Sequence, residues 1–191
     1  ALILLSACYS GDFLERLVQP IVSGQCAVAY GRQIADEDAD LVARFCREFN
    51  YPREPQLRSE ADWRRFGSYT HFCSNACAAW SNAALDAIGG FEATLVSEET
   101  IAVAKLLARG ERIAYVADAV VLHSHPTSLT ESFKRQFDIG WTRSTFKELL
   151  LARERDEVRG GAYLRALLGR ALAEHPTLLP WAVADTVMKF L

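Results

Sequence analysis

The chain has 191 residues, 50% apolar and 24% charged, a balance suited to one globular domain large enough to bury a core. A net charge of −3 gives no basis for nucleic-acid binding. Five cysteines, Cys8, Cys26, Cys46, Cys73 and Cys77, are an odd number at no framework spacing, which excludes a disulfide scaffold and points to reduced, intracellular thiols. The apolar run at Ala1–Ala7 is too short for a signal sequence or a membrane span. Because it opens the chain without a methionine, it predicts a fragment.

In chain order, Ala1–Ala7 reads as a fully buried strand of a parallel sheet. Asp12, with Glu15 three residues on, predicts a capped helix with Leu14, Leu17 and Val18 facing inward. Gln25–Tyr30 reads as a strand that Gly31-Arg32-Gln33 leaves in a turn. Asp36–Asn50 has helical period, with Leu41, Phe45 and Phe49 on one stripe, and Pro52 ends it through Tyr51. The polar run Arg53–Gly67, with Arg64 and Arg65, reads as a long loop. Tyr69–Cys73 is expected to be a strand. Ser81 caps a helix over Asn82–Ile88 that Gly89 stops, and Ser97 caps another running to Arg109 and Gly110. Short strands follow at Ile113–Val116 and Ala119–Leu122. Ser128 and Glu131 form a capping box opening a helix with Phe133, Phe137 and Trp141 on one stripe. From Tyr163 on, Leu164, Leu167, Leu168 and Leu172 share a face, and the run from Leu178 to Leu191 is nearly all apolar around Trp181.

Several residue groups carry chemistry, each with a plainer reading beside it. Glu98 and Glu99 stand in the first turn of a helix, where the dipole alone favours carboxylates. His123 and His125 alternate onto one face of a persisting strand, as ligands or as histidines satisfied by backbone carbonyls. Lys134 and Arg135 fit a solvated helix face as well as an anion site. Trp80, with Asn75 five residues before it, suits either an aromatic platform or an interior tryptophan. Cys73 and Cys77 have no second pair to complete a zinc site.

Taken together, His71-Phe72-Cys73-Ser74-Asn75-Ala76-Cys77-Ala78-Ala79-Trp80, Ile88-Gly89-Gly90-Phe91, Glu98-Glu99, His123-Ser124-His125 and Phe133-Lys134-Arg135-Gln136 occur in an order that resembles the acceptor-side, C-terminal half of inverting family 2 glycosyltransferases, nearest the rhamnosyltransferase-like branch. The resemblance covers roughly Phe13–Gly140. It implies an α/β, Rossmann-like GT-A fold with a mixed sheet over 1–142 and a helical extension over 143–191, with the nucleotide-binding half absent. It implies transfer of a sugar from a nucleotide diphosphate donor to a polysaccharide or lipid-linked acceptor, with inversion. Glu99 would stand at the catalytic base, where the family has aspartate, supported by Glu98. Arg135 and Lys134 would meet the donor, Asn75 and Trp80 the acceptor, and His123 and His125 a divalent ion, magnesium or manganese.

The family's aspartate motif has no counterpart here, since Ser6-Ala7-Cys8-Tyr9 stands in its place, and sulfur suits those ions poorly. The expected setting is cytoplasmic, with the tail from Tyr163 to Leu191 lying either on the inner membrane surface or against the domain core. The remaining partner is the absent half or a second copy. A metal-dependent hydrolase and a non-catalytic binding module of the same fold remain as alternatives.

Overall fold

The computed structural model describes residues 2–5, 7–8, 11–123, 128–151 and 156–190. Its strands are β1 (Leu2–Leu5), β2 (Ala7–Cys8), β3 (Val28–Ile34), β4 (Gln56–Arg58), β5 (Cys77–Trp80) and β6 (Ile113–Leu122). They form one sheet in the order β1-β5-β3-β6-β2, with β4 also paired to β6. Among the described residues only β3 and β6 run parallel, and every other pairing is antiparallel. The sheet is mixed and the fold α/β, as expected.

The central strands are small and apolar enough to be covered on both faces. Val28, Tyr30, Ala78, Trp80, Ile113 and Tyr115 point into one core with Val103, Leu106 and Leu107. Ala29, Cys77, Ala79 and Ala114 point into the other with Phe13 and Leu17. The helix over Phe13–Val22 (α1) therefore covers one face and that over Glu98–Ala108 (α5) the other. Cys73 and Cys77 belong to opposite cores, so they share no metal.

The two short strands expected around Ile113 and Ala119 are one strand with an irregularity between them. Gly31 pairs with Val116 and Arg32 with Val120, so β6 carries three extra residues there. An odd insertion inverts the alternation: Ala117 joins one core, and Ala119 and Val121 the other. Gly31 is thus inside β3 and not in a turn. A Cβ at Gly31 would collide with Cys77 Sγ and the Ala119 carbonyl oxygen. We expect Gly31→Ala to destabilise the chain by about 1–3 kcal/mol, as overpacking does, measured by urea unfolding. An unchanged midpoint would show that the bulge yields freely.

Other expectations are corrected. β1 is an antiparallel edge strand with Leu2 39% exposed, not a buried parallel one. In α1, Asp12 pairs with Arg16 and does not cap, while Phe13 takes the inward position and Leu14 is exposed. The second helix (α2) spans Leu41–Asn50 and is capped by Asp40, which accepts from Ala43 N at 2.8 Å. The loop expected at Arg53–Gly67 holds β4, a 3₁₀ turn at Glu60–Asp62 and a short helix, α3 (Trp63–Phe66). Tyr69–Cys73 is no strand, since Gly67–His71 is a 3₁₀ turn.

Helix α4 (Asn82–Ala87) is capped by Ser81. Helix α6 (Leu129–Thr145) opens on the expected box of Ser128 and Glu131 and runs across the boundary placed at 142. Short α7 (Lys147–Leu150) precedes α8 (Asp156–Glu174) and α9 (Leu179–Phe190). The tail's inward face meets protein: Leu167 and Ala182 are buried with Val42 and Phe45 of α2, and Trp181 and Tyr163 border the same cluster. Arg159 Nη2 donates to Asn50 Oδ1 at 2.9 Å and Arg170 Nη1 to Glu48 Oε2 at 2.9 Å. Of the leucine stripe that suggested a membrane surface, Leu167 is buried against α2 while Leu172 is 59% exposed. Among the described residues no helix is long and apolar enough to cross a membrane.

Candidate active site

The parallel pair β3 and β6 ends at Ile34 and Leu122, and His123 N donates to Ile34 O at 3.0 Å. In α/β sheets the carboxyl ends of parallel strands are where ligands are received. A cleft of about 480 Å³ lies there, bordered by Gln33, Arg47, Ser74, Glu99, His123 and Arg135 among others. Its floor is tied together: buried Gln33 donates through Nε2 to Ser74 Oγ at 2.7 Å, and Arg47 Nε reaches the His123 carbonyl at 2.7 Å.

The two glutamates are separated by their surroundings. Asn75 Nδ2 donates to Glu98 Oε1 at 2.9 Å, while Trp80 Nε1 donates to Asn75 Oδ1 at 3.1 Å. Glu98 is thus fixed through an amide to the core, while Glu99 borders the cleft. Burial pushes the Glu99 carboxyl up to about 7, with the neighbouring Glu98 adding to the rise; its own backbone amide and Arg135 oppose it. Desolvation outweighs the amide contribution at the helix start, where a carboxylate would otherwise be favoured. A carboxyl poised near neutrality suits proton transfer.

The turn into α5 is also unusual. Ser97 has φ 66° and makes no side-chain cap, contrary to the expected capping. It is the one non-glycine residue with positive φ among those described, and left-handed backbone at a non-glycine residue costs about 1–3 kcal/mol. That conformation sits immediately before Glu98 and Glu99.

The remaining candidates divide. Arg135 borders the cleft and acts on Glu99, whereas Lys134 is exposed and does not line it. Trp80 is fully buried, stacked edge-on against Phe91, so it offers no platform to a ligand, and Asn75 has both ends of its amide engaged. Trp80 and Asn75 together hold Glu98 in place, and Asn75 remains partly exposed. His123 borders the cleft, and His125 lies outside the described residues, as does the side chain of Cys8. Among the described residues no group of three His, Cys, Asp or Glu could hold an ion, and the expected pair of His123 and His125 lies only in part within them. Sequence reasoning missed Arg47, which reads as one more charge on the polar face of α2.

The mixed α/β sheet thus carries a cleft lined by a carboxyl of raised pKa and an arginine that acts on it. No family model matches the chain. It is 32% identical over 194 residues to O-antigen chain rhamnosyltransferase RfbN of Salmonella typhimurium strain LT2, an alignment covering 94% of this chain and 58% of that protein. It is likewise 32% identical over 192 residues to O-antigen chain rhamnosyltransferase WbaN of Salmonella anatum, covering 93% of this chain and 57% of the relative. The chain thus spans less than two thirds of the length of the curated relatives it matches.

Proposed function

We propose that the chain is part of an inverting, GT-A-type family 2 glycosyltransferase that moves a sugar, rhamnose, from a nucleotide diphosphate donor to a growing polysaccharide. The observation that carries this reading is Glu99, a partly buried carboxyl whose pKa is raised to about 7, sharing a cleft with Arg135. Similarity to two O-antigen chain rhamnosyltransferases over nearly the whole chain supports it.

In the proposed step, an acceptor hydroxyl oxygen attacks the anomeric carbon as Glu99 takes its proton. The bond from that carbon to the diphosphate oxygen breaks on the opposite face, inverting the centre. The electron pair leaves on the nucleoside diphosphate, whose oxygens suit the planar fork of Arg135. Glu98, held by Asn75, keeps the first turn of α5 in register. The transfer is carried here by Glu99 and Arg135, with no step assigned to an ion.

The natural polypeptide containing this sequence, given a nucleoside diphosphate rhamnose and an oligosaccharide acceptor, is expected to release nucleoside diphosphate and glycosylate the acceptor. The anomeric proton of the product, read by NMR, should show inverted configuration. Free rhamnose without acceptor glycosylation would replace the transferase with a hydrolase. Folded protein that does neither would be a non-catalytic binding module.

A further inference from the structure

The turn that presents Glu99 is anchored from outside its own helix. Between α4 and α5 the chain from Phe91 to Ser97 forms neither helix nor strand, yet it ends in the left-handed backbone of Ser97. Strained backbone persists only where the surrounding structure over-determines it. Three contacts do so here. The Phe91 ring stands edge-on to Trp80, Glu92 pairs with Lys105 of α5, and the hydroxyls of Thr94 and Thr142 are 3.1 Å apart.

The third contact reaches α6. Thr142 is fully buried, and a hydroxyl removed from water needs a hydrogen-bond partner, which Thr94 supplies. Thr142 also stands seven residues after Arg135, close to two whole helical turns. Both side chains therefore leave α6 on one face, about 10 Å apart along its axis. The helix meets the Glu99 segment at two levels: Arg135 at the cleft and Thr142 at the loop before it.

We propose that the Thr94–Thr142 pair is a positioning clamp that sets Glu99 against Arg135, an inference that rests on the reading of Glu99 as the base. Thr94 precedes Glu99 by only five residues, so a shift of the loop passes to the first turn of α5. From the other side Asn75 holds Glu98, and the turn is fixed between these two attachments. Misplacing a reacting group by about 1 Å can cost a hundredfold in rate. The ionisable groups acting on Glu99 are Glu98 and Arg135; Cys73 feels its charge, and Asp40, Arg47, His123 and Glu131 share the cleft. The two threonine hydroxyls carry no charge, so removing them acts on Glu99 through its placement.

The test introduces Thr142→Val and Thr94→Val into the natural polypeptide containing this sequence. Each keeps the shape of the side chain and removes one hydroxyl. Turnover is read with nucleoside diphosphate rhamnose and an oligosaccharide acceptor, and the Glu99 titration by carbon-13 NMR of the glutamate carboxyls, assigned with Glu99→Gln. Either variant is expected to lower kcat about tenfold or more. It should also move the Glu99 titration down from about 7 toward 4.5, since a loosened turn admits water. The double variant should do no more than either single one, because both remove the same bond. Thr142→Ser should restore rate and titration. Thr145→Val, which removes an exposed hydroxyl bonded to the Trp141 carbonyl, should match the parent. An unmoved Glu99 titration in either folded valine variant overturns the proposal whatever the rate, and so do fully additive losses in the double variant. A moved titration together with full turnover in Glu99→Gln keeps the clamp and removes Glu99 as the base.

Discussion

Replacing Glu99 with glutamine is expected to lower transfer by about a hundredfold or more, the usual effect of losing a general base, while making the folded chain more stable at alkaline pH. Both effects come from one property. Folding raises the Glu99 carboxyl from its ordinary 4.5 to about 7, chiefly by burial. The folded chain then holds this proton more tightly than the unfolded chain, so stability falls as pH rises from about 4.5 through about 7. Allowing for the carboxyl's partial exposure, the loss is roughly 2 kcal/mol by pH 8. Glutamine has no proton to lose and escapes it.

Urea unfolding should therefore show Glu99→Gln matching the parent near pH 4 and exceeding it near pH 8. In the parent, kcat/KM should rise with pH through about 7 as the base ionises, and the residual rate of the variant should lack that rise. Full turnover in folded Glu99→Gln removes Glu99 from the mechanism. A lost rate without the stability gain at pH 8 would mean that the carboxyl is not buried as described.

What could be read in the sequence followed from local chemistry. The box of Ser128 and Glu131, the cap at Ser81 and the helical period of Leu41, Phe45 and Phe49 each name their element, because caps and amphipathic stripes act within a turn or two. Gly31 misled because glycine in a short run looks like a turn; its actual need is the close approach of the Ala119 carbonyl and Cys77 across two other strands, which no local pattern encodes. Tyr69–Cys73 has the composition of a strand but makes a 3₁₀ turn, since its carbonyls are gathered by Arg58 from β4.

The site shows the same division. A pair of acids before an apolar helix is visible from sequence, but which acid faces the cleft is decided by Asn75, more than twenty residues earlier. The partner that commits Asn75 to that bond is the buried indole of Trp80. A tryptophan near a candidate sugar site reads as a platform until its burial is known.

Arg58→Met is expected to cost about 2–4 kcal/mol, because buried acceptors left without a donor cost about 1–3 kcal/mol each and partly relax. For a chain of this size that corresponds to a melting temperature lower by about 10 °C. Arg58 is fully buried, and among the described residues no carboxylate pairs with it. Its charge is met instead by oxygen dipoles and ring faces. The guanidinium donates to the Tyr69 carbonyl, to the Phe72 carbonyl at 2.6 Å and to the Tyr30 hydroxyl at 2.7 Å. It also lies 5.3 Å from the Tyr30 ring centre and 4.8 Å from that of Tyr69, where cation–π attraction adds to the bonds.

Methionine fills similar space but donates nothing, leaving two carbonyls and a phenol in the interior without their donor. Lysine restores the charge without the planar fork, so Arg58→Lys should recover only part of the loss. Because Phe72, Cys73 and Ser74 wall the cleft, the same bonds hold the segment that leads to Asn75 and Glu98. Thermal and urea unfolding of both variants decide the matter. A loss under 1 kcal/mol for Arg58→Met would show that water or a shifted backbone satisfies those carbonyls as well as the guanidinium does.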